Sequence, residues 1–224
     1  HFIAGLEAIE FPATPQAPTV MLLHGYGAND ADLAPLALEL GGVAKARWLF
    51  PNGPLRLDGS GFSRAWFPID VEALERAQKE GGTVDFSRSE ISGLDEAAAA
   101  VERFLGELNI PGDRLVIGGF SQGAMLATEI ALRAAVPPKA LLVLSGNLVA
   151  EKRWRELALK RRGLRFFQSH GIADPILGFQ GALRLESLLR DCGLQGQLFK
   201  FEGGHGIPSD AIAQLRGFLS ETLG

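Results

Sequence analysis

Six short apolar runs recur along the chain, at Val20 to Leu23, Trp48 to Phe50, Leu115 to Ile117, Ala140 to Leu144, Leu164 to Phe167 and Leu198 to Phe201. Most are nearly continuous rather than alternating. A strand buried on both faces reads this way, and both faces are buried when crossover helices cover a parallel sheet. Helical stripes lie between the runs. The clearest is Leu94, Ala98, Val101, Leu105 and Leu108; a second is Ala182, Leu185, Leu189 and Cys192; a third is Ala211, Leu215 and Phe218, with Pro208 near its start. This alternation predicts an α/β fold, a mostly parallel central sheet with helices on both faces. Ser87 and Glu90 have the spacing of a capping box ahead of the first stripe.

A chain of 224 residues holds one sizeable core and is short for two, so residues 1–224 are expected to form a single domain. The sequence has no internal repeat, low-complexity tract or linker, and Pro137 and Pro138 simply end a helix before a strand. Residues 51–87 are less regular. Their glycines, prolines and aromatics predict loops and short pieces lying over the sheet, the natural place for substrate contact.

Composition removes several classes of function. The apolar fraction of 46% and charged fraction of 21% are those of an ordinary soluble globular protein. A net charge of −4 supplies no general field for nucleic acid, so no nucleic-acid partner is expected. No apolar run approaches the roughly 20 residues of a membrane span, which argues against stable membrane insertion. Residues His1 to Glu10 lack the plan of a secretory signal. The single cysteine, Cys192, can neither close an internal disulfide nor build a cysteine-rich metal site, and it leans towards the cytoplasm. On its apolar stripe it reads as a small buried hydrophobe.

The strongest local signal is Leu115-Val-Ile-Gly-Gly-Phe-Ser-Gln-Gly-Ala-Met-Leu, an apolar strand entering Gly119-Phe-Ser121-Gln-Gly123 and then a helix. Such a turn exposes a serine in a strained conformation, and its neighbours must be small for the backbones to pass. Taken alone, the serine could equally cap the helix. A serine hydroxyl needs a base to become a nucleophile, and the base needs a buried carboxylate to orient it. In this arrangement the acid and then the histidine follow the serine along the chain.

His170 and His205 lie downstream of Ser121. His205, in Glu202-Gly-Gly-His-Gly-Ile-Pro, follows the last apolar run and precedes the final helix, a loop position suited to a base. His170 precedes Asp174 and is read as structural. Asp174 follows the Leu164 to Phe167 run, where open α/β sheets place working residues. Before Pro175 it could serve only as a turn residue, but with Ser121 and His205 it completes a triad. Two donors must face the oxyanion: the Gln122 N–H, and the Tyr26 N–H from the glycine-flanked loop Leu23-His-Gly-Tyr-Gly. His24 would then order that loop without entering the chemistry.

Together, Leu23-His-Gly-Tyr-Gly-Ala-Asn, Arg64-Ala-Trp-Phe, Gly118-Gly-Phe-Ser-Gln-Gly-Ala, His170-Gly-Ile-Ala-Asp-Pro and Gly204-His-Gly-Ile-Pro resemble the phospholipase/carboxylesterase family, relatives of acyl-protein thioesterases. The resemblance spans nearly the whole chain. It implies an α/β-hydrolase fold and cofactor-free, metal-free hydrolysis of carboxylic esters of short to medium acyl length, or of thioesters, through an acyl-enzyme. It assigns Ser121, Asp174 and His205 to the triad, the Gln122 and Tyr26 N–H groups to the oxyanion hole, and Trp66 to a position beside the acyl site. A core tryptophan would explain Trp66 equally well. Ile176 and Leu177 could line the acyl pocket. Ala124 stands where relatives usually carry glycine, and Gly178 where a proline is often seen, which leaves chain-length preference to this sequence's own loop.

Other features have plainer readings. The basic residues between Glu151 and Gly163 read as a solvated helix face, and Asp30 and Asp32 as helix caps. The expected partner is a small-molecule ester or acyl-thioester. Apolar surface around an acyl pocket would also allow a homodimer. A hydrolase-fold receptor without turnover and an acyltransferase using the same triad are the competing functions.

Overall fold

The computed structural model describes residues 2–40, 43, 45–88 and 90–224. The chain enters through two strands outside the continuous apolar runs, β1 (Phe2–Ile3) and β2 (Leu6–Phe11). The first two runs then form β3 (Thr19–Leu23) and β4 (Arg47–Pro51). A small antiparallel hairpin, β5 (Leu55–Arg56) and β6 (Arg64–Ala65), stands apart from the sheet. The remaining runs form β7 (Leu115–Phe120), β8 (Ala140–Leu144), β9 (Arg165–Gly171) and β10 (Gln195–Phe201).

Among the described residues the sheet order is β1-β2-β4-β3-β7-β8-β9-β10. Pairing is antiparallel at the β1–β2–β4 edge and parallel from β4 through β10. Every residue of β3 and β8 is buried, which is why those runs carry no polar alternation. The parallel strands all point their carboxyl ends to one edge, where loops can gather a site.

Helices cover both faces. One core layer packs α3 (Leu94–Leu108), α4 (Gln122–Arg133), α5 (Glu151–Ala158) and α6 (Phe179–Asp191) on the sheet; the other packs α1 (Pro35–Leu40) and α7 (Ser209–Leu223). The predicted stripes face these layers. Leu94, Ala98, Val101, Ala182, Leu185, Leu189, Ala211 and Leu215 are buried, and each large one contributes about 1.5–3 kcal/mol by leaving water. Cys192 is buried at the end of α6, and burial pushes its thiol up.

Several expectations are corrected. Ser87 does not cap α3: the N-cap is Gly93, whose positive φ of 81° reverses the chain beside Phe67 and Pro68. Ser87 instead accepts a hydrogen bond from Arg184, and its carbonyl takes the Glu151 N–H. The turn before α1 is made by Asn29, whose Oδ1 takes the Ala31 N–H, rather than by Asp30 or Asp32. The basic stretch is only partly a solvated face. Arg153 pairs with the fully buried Glu129, which also accepts the Trp154 indole N–H at 2.8 Å, and Arg161 donates to the carbonyls of Leu132 and Ala134. Within residues 51–87 the chain forms a regular helix, α2 (Val71–Lys79), capped by Asp70 Oδ1 on the Ala73 N–H at 2.9 Å. No helix among the described residues is long and apolar enough to cross a membrane.

Candidate active site

At the carboxyl edge, β7 leads into Ser121, which has φ 54° and ψ −116°, and α4 begins at the next residue. A non-glycine residue at positive φ costs on the order of 1–3 kcal/mol and persists only where its surroundings impose it. The surroundings here are tight. A Cβ on Gly123 would overlap the Leu23 carbonyl, and one on Gly119 would overlap the Gly123 backbone, so the glycines flanking Ser121 let the turn cross the end of β3. At the first helical position the Gln122 N–H has no intrahelical acceptor and lies at the positive end of the α4 dipole.

His205 sits in the loop between β10 and α7, with its ring 4.8 Å from that of Phe120. Its Nδ1 meets Asp174 Oδ2 at 2.6 Å. Because the partner is a carboxylate, Nδ1 carries the proton, and Nε2 keeps its lone pair for a hydroxyl. The loop is held from behind by Ser145, whose hydroxyl donates to the Gly206 carbonyl at 2.9 Å. No hydrogen bond joins the Ser121 hydroxyl to the His205 ring among the described residues, although both line one cavity. Catalytic contacts of this kind commonly tighten only when substrate binds.

Asp174 is 6% exposed. Its Oδ1 accepts the N–H groups of Ile176 and Leu177 at 2.8 and 2.9 Å, and its Oδ2 faces His205 and also His170 Nε2 at 3.2 Å. Burial alone would raise this carboxyl. The hydrogen bonds from His170 and His205 and the Leu177 N–H outweigh burial and hold it well below the ordinary carboxylate range. His170 is fully buried, and its Nε2 also lies 2.7 Å from the Leu177 carbonyl. Both neighbours of Nε2 are acceptors, so Nε2 is the protonated nitrogen; Nδ1 has no partner among the described residues. His170 therefore ties the acid to the loop that follows it.

Across the cavity, the loop after β3 runs beside the elbow: a Cβ on Gly25 would stand 3.4 Å from Ser121 Cβ. Gly27 N–H is committed to the Arg64 carbonyl at 2.8 Å. Among the described residues neither the Tyr26 N–H nor the Gln122 N–H is committed to an acceptor, and both residues line the cavity. His24 orders the loop. Its Nε2 accepts the Gly53 N–H at 2.9 Å and its Nδ1 donates to the Gly25 carbonyl at 2.7 Å, and burial lowers its pKa, so it stays neutral.

The cavity has a volume of about 830 Å³. Beyond the polar end formed by Tyr26, Ser121, Gln122 and His205, its wall is mostly apolar, with Leu74, Val84, Phe86, Ile91 and Met125, and Asp32, Asp70 and Glu90 also border it. Ile176 and Leu177 also line it. Trp66 does not. It is 2% exposed and sits behind the wall, its indole N–H donating to the His24 carbonyl at 2.9 Å, so the expectation of an aromatic beside the acyl site is revised. Phe120 and Met125 were not among the predicted site residues. Their place on the elbow itself, one before the serine and four after it, is the signal that would have found them. No cluster of three or more potential metal ligands occurs among the described residues.

A parallel sheet with an antiparallel edge, a strained serine elbow at its carboxyl end and a carboxylate–imidazole pair from the loops after the last two strands define an α/β-hydrolase. Residues 4–223 match the family model described as Phospholipase/Carboxylesterase, and the chain belongs to that family. Among its relatives are the acyl-protein thioesterase 1 of Mycosarcoma maydis, 27% identical over 219 residues (92% of this chain, 91% of the relative), and that of Eremothecium gossypii, 29% identical over 223 residues (94% and 90%). The crystal structure of esterase PE8 superposes with a TM-score of 0.84 at 28% identity, covering 97% of this chain and 99% of that one. A carboxylesterase of Bacillus cereus shares the fold, with a TM-score of 0.67 at 20% identity over 97% of this chain and 94% of its own. The chain is a serine hydrolase of esters or thioesters.

Proposed function

We propose that this enzyme cleaves short- to medium-chain acyl esters and thioesters with Ser121 as nucleophile, His205 as general base and Asp174 as the acid that orients His205. The observation that carries this reading is the 2.6 Å contact of Asp174 with His205 Nδ1 in a cavity that also holds the strained Ser121. His205 Nε2 takes the hydroxyl proton as Ser121 attacks the acyl carbonyl, and the tetrahedral oxyanion is met by the Tyr26 and Gln122 N–H groups. Collapse expels the alcohol or thiol, protonated by His205. Water activated by the same ring then releases the carboxylic acid.

Charge develops only at the oxyanion and the imidazole, so the rest of the substrate can be apolar, which suits the wall from Leu74 to Met125. Each methylene that leaves water for such a wall contributes about 0.8 kcal/mol, so selectivity should climb with chain length until the cavity is full. Residues 1–224 act as one catalytic unit, with residues 51–87 over the site. The free buried Cys192 fits a reducing compartment, and we place the enzyme in the cytoplasm.

The test is hydrolysis of p-nitrophenyl esters and matched acyl thioesters of increasing length by the unmodified protein and by Ser121→Ala. Turnover that rises and then falls with chain length, and disappears in the variant, is expected. Equal turnover in both proteins would refute the assigned nucleophile.

A further inference from the structure

The two oxyanion donors come from segments far apart in the chain, the loop after β3 and the first residue of α4. Stabilisation of a developing oxyanion depends on both donors being held in place before the charge appears. One residue touches both supports. The Trp66 backbone N–H donates to Gln122 Oε1 at 2.9 Å, and its indole N–H donates to the His24 carbonyl at 2.9 Å. Gln122 Nε2 returns a bond to the Phe67 carbonyl at 2.7 Å, so the Gln122 amide grips the main chain on both sides of the Trp66–Phe67 peptide.

The other arm reaches the Tyr26 N–H through His24. The Gly25 carbonyl and the Tyr26 N–H belong to one planar peptide, so fixing the oxygen fixes the direction of the N–H. His24 Nδ1 holds that oxygen at 2.7 Å, and the Trp66 ring packs against the His24 ring at a centroid distance of 5.2 Å. Trp66, Gln122 and His24 are each no more than 2% exposed, so water does not substitute for these bonds.

We infer that Trp66 is a positioning residue that locks the Tyr26 and Gln122 N–H groups to each other. This rests on the reading of those groups as the oxyanion hole. It assigns the Arg64-Ala-Trp-Phe segment a task in transition-state stabilisation without contact to substrate.

The experiment compares Trp66→Phe, Gln122→Met and the double variant with the unmodified enzyme. Trp66→Phe keeps an aromatic ring and removes the indole donor; Gln122→Met removes the amide grip and keeps the length. Each is expected to lower kcat about 10- to 100-fold with KM within about twofold, as for a displaced rather than deleted donor. Affinity for an alkyl boronic acid, which forms a tetrahedral adduct at Ser121, falls by the same factor as kcat/KM. The double variant loses less than the product of the single losses, because both break one brace.

Unchanged kcat and boronic-acid affinity in a folded variant would overturn the inference, as would a loss that merely tracks the unfolded fraction by circular dichroism. If Trp66→Phe does not fold, Gln122→Met decides alone. Residual turnover in Ser121→Ala would instead sink the catalytic reading beneath it, so the two failures are distinguishable.

Discussion

His170 and His205 converge on one oxygen of Asp174: Oδ2 lies 3.2 Å from His170 Nε2 and 2.6 Å from His205 Nδ1. His170 also reaches the Leu177 carbonyl, so a single buried N–H braces both the acid and a residue of the cavity wall. Replacing it by leucine leaves Asp174 one donor short and the Leu177 carbonyl unpaired, a loss of about 1–3 kcal/mol of stability. A glutamine amide can place an N–H close to the position of Nε2. His170→Leu is expected to lower both the melting temperature and kcat/KM, and His170→Gln to restore much of each. Thermal unfolding and ester kinetics on the two variants would show it; equal damage in both would mean that the ring, not its N–H, matters.

The depressed carboxyl of Asp174 has a signed consequence for stability. A group whose folded pKa lies below its unfolded value contributes stability above the unfolded value, near 4 for aspartate, and loses it as pH falls towards the folded one. The unmodified protein should therefore weaken below about pH 4 more steeply than Asp174→Asn, whose amide does not titrate. Urea unfolding between pH 3 and 7 measures this. At neutral pH the same variant should lose kcat on the order of 10⁴-fold, the scale seen when a triad aspartate loses its charge. Matching acid slopes would show that Asp174 is not held ionised by its neighbours.

What could be seen in the sequence follows from what each residue packs against. Strand β10, half-exposed at the far edge, showed only through Leu198 to Phe201, whereas β3, β4, β7, β8 and the start of β9 were legible because burial on both faces imposes nearly unbroken apolar runs whatever their partners. Strand β2 was not, because Leu6-Glu-Ala-Ile-Glu-Phe alternates at a half-exposed edge. Helix α2 escaped because Val71 and Leu74 face the cavity rather than the core, leaving no buried stripe among Glu72, Glu75, Arg76 and Lys79. The elbow was legible from its glycines, which answer to local crowding. The place of Trp66 was not, since its indole partner, the His24 carbonyl, is a main-chain atom that no side-chain pattern announces.

Gly123 gives the sharpest steric prediction. Alanine there would drive its methyl into the Leu23 and His24 carbonyls, both main-chain atoms at the end of β3. Main chain in the middle of a sheet yields little, so either the elbow or the loop after β3 must move. Gly123→Ala is expected to cost about 3 kcal/mol or more in stability, at the upper end of overpacking, and to abolish esterase activity even where it folds. By contrast, Gly217→Ala on α7, where a Cβ meets nothing within 4 Å, should leave activity unchanged and raise stability slightly. Chemical denaturation and p-nitrophenyl ester turnover on the pair would test the contrast, and comparable behaviour of the two would remove the steric case for the glycine.

Chain-length selectivity should be adjustable from α2 without touching the chemistry. Leu74 is half-buried on the cavity wall, on a helix with no buried residue, so a larger side chain there can project into the cavity at little cost to the fold. Leu74→Trp is expected to leave kcat/KM for acetyl esters unchanged and to lower it for the longest accepted chains. Each methylene excluded from the apolar wall removes up to about 0.8 kcal/mol of binding, roughly fourfold in kcat/KM. Ser121 and His205 keep their positions, so the maximum should shift to shorter chains rather than the whole profile falling. A uniform drop across all lengths would mean that α2 contacts the reacting carbon's surroundings and not the chain, and a profile unchanged at every length would place the acyl chain elsewhere than along α2.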